Sequence, residues 1–143
     1  MRVQDFVKQN VATISNQASI QEVARKMAEE DIGFLPVVDQ SGKPVGTITD
    51  RDIVVRLIAK GGDMKNARVE QAMTRDVVSV RPDEDLGRVA DLMKERKISR
   101  VLICDQGGKP VGVISLGDLA ERHDEQDVGR TVKEVKEGTT LTH

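Results

Sequence analysis

Tryptophan and tyrosine are absent from this 143-residue chain and phenylalanine occurs twice, so it has no set of aromatic faces on which single-stranded bases could stack. An excess of either charge is missing as well. With 22 basic residues against 24 acidic ones, the net charge of −2 offers little to a polyanion such as nucleic acid or an acidic membrane. No apolar run approaches the roughly 20 residues that span a bilayer. The opening Met1-Arg2-Val3-Gln4-Asp5-Phe6 lacks the apolar stretch of a secretory leader. One cysteine, Cys104, cannot close an internal disulfide. The two histidines, His123 and His143, stand near the C-terminal end without a cysteine at ligand spacing, so no metal site is expected. These shortages together point to a cytoplasmic protein, with neither nucleic acid nor membrane as a partner.

What the chain does have is a repeat. Gly42-Lys43-Pro44-Val45-Gly46-Thr47-Ile48-Thr49-Asp50-Arg51-Asp52 returns 66 residues later as Gly108-Lys109-Pro110-Val111-Gly112-Val113-Ile114-Ser115-Leu116-Gly117-Asp118. In each copy a Gly-Lys-Pro turn leads into a short apolar strand. The strand ends in a hydroxyl residue, and a carboxylate follows three residues on. Most of the chain keeps the same offset. Arg2-Val3-Gln4-Asp5 and Arg68-Val69-Glu70-Gln71 read as short amphipathic turns, and Val11-Ala12-Thr13-Ile14 and Val77-Val78-Ser79-Val80 as β-prone runs. Ile20, Val23, Ala24 and Met27 form one helical stripe, with Ser19 and Glu22 at capping-box spacing. Leu86, Val89, Ala90 and Met93 match them, with Asp85 as the expected cap.

Phe34–Asp39 and Arg100–Asp105 are apolar on both faces, as in strands of a sheet covered by helices. Turns follow at 39–42 and 105–108. Ile53, Val54, Leu57 and Ile58 mark a second helix that Gly61-Gly62 ends, and Leu119 and Ala120 begin its counterpart. Val128, Val132 and Val135 are spaced like one face of a short helix. Each half thus reads β-α-β-β-α. The predicted fold is α+β, of α/β type, with repeats at 1–66 and 67–123 and an extension at 124–143. A half of about 60 residues is marginal alone, so the two are expected to pack on each other.

Thr49 and Asp52, and Ser115 and Asp118, are the residues best suited to chemistry. A hydroxyl where a strand gives way to a helix can join free backbone N–H groups in holding a phosphate. A carboxylate one turn on can accept from both hydroxyls of a vicinal diol. Phosphate and ribose adjoin in a nucleotide. Ser/Thr-x-x-acid is equally a capping box, and a duplicated fold duplicates its caps. Cys104, mid-strand among apolar residues, reads as core. Gly61-Gly62 is a helix stop, since no Gly-Lys-Ser/Thr follows it. The chain holds no nucleophile–base pair, metal cluster or phosphate loop, so no enzyme is expected.

Over about residues 1–123 the chain resembles a tandem pair of CBS (cystathionine β-synthase) domains, the Bateman module. The signature Gly-h-h-Thr/Ser-x-x-Asp stands at 46–52 and again at 112–118. The resemblance implies two halves packed with pseudo-twofold symmetry, leaving two clefts that bind adenosine compounds: AMP, ADP, ATP, S-adenosylmethionine or a dinucleotide. One cleft would use Thr49, Arg51 and Asp52 opposite Val78, Ser79, Ser99 and Arg100. The other would use Ser115 and Asp118 with Ala12, Thr13, Gly33 and Phe34. Arg51 and Arg100 favour a polyphosphate in the first, although Asp50 opposes it. The resemblance further implies a regulatory module with no obligatory cofactor. It would form a disc-like homodimer and signal to an effector protein. A structural scaffold with empty clefts is the alternative.

Overall fold

The structure, a computed structural model, describes residues 2–7 and 10–122. The helix expected at Val128, Val132 and Val135, the two histidines and the 124–143 extension lie outside the described residues. In the first repeat, strand β1 (Ile14–Ser15), helix α1 (Ile20–Glu30), strands β2 (Phe34–Val38) and β3 (Pro44–Thr49) and helix α2 (Asp50–Ile53) follow in order. The second repeat has β4 (Ser79–Val80), α3 (Leu86–Arg96), β5 (Arg100–Cys104), β6 (Pro110–Ser115) and α4 (Leu116–Arg122). The strands make two three-stranded sheets, ordered β1-β2-β3 and β4-β5-β6. The first strand of each sheet is parallel to the second. The mixed α/β class and the β-α-β-β-α order of both repeats match the sequence reading.

The compact units do not follow the repeat boundaries. One comprises the described residues of Met1–Gln9, Val78–Gly107 and Val111–His143; the other comprises Asn10–Val77 and Gly108–Pro110. The leading segment of each repeat has therefore moved to the other repeat's core. Val3, in a 3₁₀ turn (Val3–Phe6), is fully buried among Leu86, Val89, Met93 and Ile103. Val69, in the matching turn (Val69–Gln71), is fully buried among Ile20, Val23, Leu35 and Ile48. The hydrogen bonds repeat with the same offset. Val3 N–H donates to Glu84 O and Val69 N–H to Ala18 O, each at 3.0 Å. Arg2 Nη1 donates to Asp83 O at 3.0 Å, and Arg68 Nη1 to Gln17 O at 2.7 Å.

Five local readings change. The β-prone runs form ladders over two residues only. Residues 14–15 pair with β2 and residues 79–80 with β5, so the first ladder starts one place later in its repeat. Pro36 explains the difference. Thr47, its partner on β3, exchanges both backbone bonds with Thr74 at 2.8 Å, so the nitrogen of Pro36 points away from β3. Leu102, the residue 66 places on, donates in that direction to Val78 O at 3.1 Å. Proline has no N–H to give the matching carbonyl of Ala12.

In α1, Ser19 Oγ caps Glu22 N–H at 3.1 Å but Glu22 does not reciprocate, and Ala24 is exposed rather than in the stripe. Asp85 occupies the N-cap position of α3 without a capping side-chain bond. The second helix of the first repeat widens after Ile53 into a π-helical turn (Val54–Ile58), with Ala59 N–H reaching back to Val54 O at 2.8 Å. The wider turn keeps Ile53 and Leu57 buried and leaves Val54, Val55 and Ile58 about half exposed. The chain then stops at Gly61-Gly62 as expected, Gly62 N–H closing on Leu57 O at 2.8 Å.

Helices α1 and α3 both end on a left-handed non-glycine residue, Asp31 (φ 54°) and Lys97 (φ 55°). That conformation costs a side-chain-bearing residue about 1–2 kcal/mol, partly offset by the extra chain entropy glycine loses. Lys97→Gly is expected to stabilise the protein by about 0.5–1 kcal/mol, read as a raised denaturation midpoint with an unchanged denaturant slope.

Candidate functional site

Each hydroxyl–carboxylate pair closes the last strand of its repeat. Thr49 sits in extended backbone (φ −118°, ψ 162°) as the N-cap of α2. Its Oγ1 accepts from Asp52 N–H at 3.0 Å, and Asp52 Oδ2 accepts from Thr49 N–H at 2.9 Å. The second repeat reproduces this: Ser115 Oγ accepts from Asp118 N–H at 3.1 Å, and Asp118 Oδ2 from Ser115 N–H at 2.8 Å. Both pairs are complete capping boxes, so the structural role weighed in the sequence is real.

The caps do not exhaust the groups that form them. Each hydroxyl retains its O–H and a lone pair, and each carboxylate retains its Oδ1. Asp52 Oδ1 faces Arg56 Nε at 3.9 Å, too far for a hydrogen bond, and its side chain is 18% exposed. The boxes hold a donor and an acceptor in fixed positions, so a ligand would meet them without further ordering.

Each box has neighbours within its own repeat. Phe34 is the strand partner of Thr49, and Asp50 N–H donates to Gly33 O at 3.0 Å. In the other unit Leu116 N–H donates to Ser99 O at 2.8 Å, beside Arg100 at the start of β5. Ala12 packs at the margin of the first core and Val78 at the margin of the second. Thr13, like Ala12, precedes β1 and is half-buried. Ser79 begins β4, and its side chain is hydrogen-bonded to the Cys104 thiol. Burial is the main cause that raises the pKa of Cys104, which keeps it a protonated core thiol rather than a nucleophile.

The two boxes differ in charge. Asp50 Oδ1 accepts from Arg51 N–H at 2.8 Å, and Asp50 Oδ2 lies 2.7 Å from where a Cβ on Gly33 would be. A carboxylate thus lies over the end of α2, in space that a side chain at 33 would take. Its counterpart in the second repeat is Leu116. Arg51 and Arg100 are both exposed.

Two features escaped the sequence reading. Gly46 is the first residue of the signature, and a Cβ there would stand 2.6 Å from Thr74 O. A Cβ on Gly112 would stand 2.8 Å from Phe6 O. The signature glycines therefore make room for the exchanged segments. The other is Arg56, whose Nη1 donates to Ala72 O and Met73 O, both at 3.0 Å. Its place at i+4 from Asp52 was a legible signal.

Among the described residues no three of His, Cys, Asp and Glu gather to hold a metal ion, and no helix is long and apolar enough to cross a membrane.

The model of the family described as CBS domain matches residues 3–59 and again 69–125. The chain belongs to the CBS domain family. The CBS domain-containing protein YhcV of Bacillus subtilis is 40% identical over 118 residues, which are 82% of each chain. The homoserine O-acetyltransferase of Methanohalobium evestigatum is 34% identical over 118 residues, 82% of this CBS chain but only 23% of that enzyme. Among solved structures, the CBS domain pair of protein MJ0100, in complex with 5′-methylthioadenosine and S-adenosyl-L-methionine, is 31% identical with a TM-score of 0.73. The match covers 85% of this chain and 94% of that one.

Proposed function

We propose that this CBS pair is a regulatory module that binds an adenosine-bearing compound at Thr49–Asp52 and Ser115–Asp118. Ligand state would pass to an effector protein or through a homodimer of its own. The supporting observation is the same hydroxyl–carboxylate box in both repeats, with Oδ1 and the hydroxyl proton left over, in a chain similar to one that holds adenosyl compounds. Asp52 and Asp118 would accept from ribose hydroxyls. Ala12, Thr13, Gly33, Phe34, Val78, Ser79 and Ser99 would surround the base, and Arg51 and Arg100 would meet any phosphate.

Asp50 weighs on the choice of ligand. A fixed carboxylate beside the first box repels a polyphosphate and suits a neutral thioether or a sulfonium better, as in 5′-methylthioadenosine or S-adenosylmethionine. Arg51 and Arg100 act in the opposite sense, so the charges at the first site leave both classes of ligand to the titration. A second reading, a scaffold whose boxes are only caps, draws on their complete closure.

Thermal denaturation with AMP, ADP, ATP, 5′-methylthioadenosine and S-adenosylmethionine separates the readings. A true ligand at 100 times its Kd stabilises by about 2.7 kcal/mol, and the midpoint climbs with concentration. Asp52→Asn and Asp118→Asn keep an acceptor for the cap and remove the charge. Each should weaken one site at least tenfold by calorimetric titration, and the double variant should bind nothing. No response to any of the five compounds leaves the scaffold.

A further inference from the structure

We propose that Arg56 is a positioning residue that links the carboxylate of Asp52 to the exchanged segment, so that a change at the box is felt at the Thr47–Thr74 bridge. The part of this inference that concerns a ligand rests on the reading above; the coupling itself does not.

The contacts close a ring. Thr49 N–H is held by Asp52 Oδ2 at 2.9 Å. Asp52 Oδ1 faces Arg56 Nε at 3.9 Å. Arg56 Nη1 holds Ala72 O and Met73 O at 3.0 Å each. Thr74, the next residue, exchanges both backbone bonds with Thr47 at 2.8 Å, two residues before Thr49 on β3. Every link lies within one compact unit.

The guanidinium suits this place because its planar fork directs one N–H face at the carbonyls and another at the carboxylate. A lysine ammonium carries the same charge without the fork. The 3.9 Å separation matters as well. Oδ1 attracts Arg56 but is not hydrogen-bonded to it, so a ligand hydroxyl can take this oxygen and alter the field at the guanidinium. Arg56 thus touches both the box and the segment that comes from the second repeat. Arg122 holds the matching place in the sequence of the second repeat.

The test is a double-mutant cycle on the full chain, read by hydrogen exchange at the Thr74 amide, first without ligand. Arg56→Gln should speed exchange at Thr74 at least tenfold and Asp52→Asn about threefold. The double variant should be no faster than Arg56→Gln alone. Saturating 5′-methylthioadenosine should slow Thr74 exchange several-fold in the wild type, and Arg56→Gln should lose that protection while still binding. Arg56→Lys, which keeps the charge and serves if the glutamine variant unfolds, should bind normally and lose the same protection.

Multiplying effects of Asp52→Asn and Arg56→Gln in the ligand-free protein, or undisturbed Thr74 exchange in Arg56→Gln, would overturn the coupling. A wild type that binds none of the adenosyl compounds would overturn the proposed function instead, and the ligand-free cycle would still decide the role of Arg56.

Discussion

A chain cut after residue 66 is expected not to fold, although it carries a complete β-α-β-β-α repeat. The cut removes Val69 and Ala72, both fully buried, and Met73, which is 6% exposed, from the core around Ile20, Val23 and Ile48. Burying a valine or methionine side chain is worth roughly 1.5–3 kcal/mol each. The loss is therefore about 3–6 kcal/mol before Ala72, the Thr47–Thr74 bridge and the Arg56 bonds are counted. A whole domain has a net stability of about 5–15 kcal/mol, and a 60-residue unit lies at the low end. Residues 1–66 should show no cooperative thermal transition by circular dichroism. A chain of residues 10–77, which matches the compact unit apart from Gly108–Pro110, should recover one. Cooperative unfolding of 1–66 would show that the exchanged segment is dispensable.

Gly46→Val is expected to be the most damaging single substitution in the signature, by more than any change at Thr49 or Asp52. Its Cβ would stand 2.6 Å from Thr74 O and 3.1 Å from Met73 Sδ, and the first of these is backbone that cannot turn aside. Forcing the segment outward overpacks the site and breaks the Thr47–Thr74 pair, for about 3 kcal/mol. In a chain of this size that lowers the thermal midpoint by roughly 10 °C. Gly87, on α3, has nothing within 4 Å of its Cβ position. Gly87→Ala should be neutral to stabilising, which makes it the control.

Periodicity revealed much of this architecture because it reports local faces. The strands at 34–38 and 100–104 are buried through their middles, as unbroken apolar runs predict. The turn at Asp39 also behaves as its composition requires. The carboxylate accepts from Ser41 Oγ at 2.7 Å, Ser41 N–H at 2.9 Å and Lys43 N–H at 3.1 Å, which holds its pKa below the usual range. That contribution is complete above the unfolded pKa and fades as pH falls through the lowered one.

The exchange of segments was not legible. A fixed offset makes Val3 and Val69 equivalent without saying which core each enters, and both placements bury the same valine. The hydroxyl–carboxylate pairs were found by spacing alone. Cap and ligand site ask for the same geometry, so spacing could not choose between them. Ala24 and the π-helical turn depend on what packs nearby, which is not written in a local pattern.

The reciprocal placement of Val3 and Val69 also imposes a schedule on biosynthesis. Val3 leaves the ribosome well before its pocket does, since Val101, Ile103 and Ile114 follow it by 98, 100 and 111 residues. At about 5–20 residues per second the segment around Val3 waits roughly 5–20 s for its berth. What is made early in the first repeat thus waits for the second.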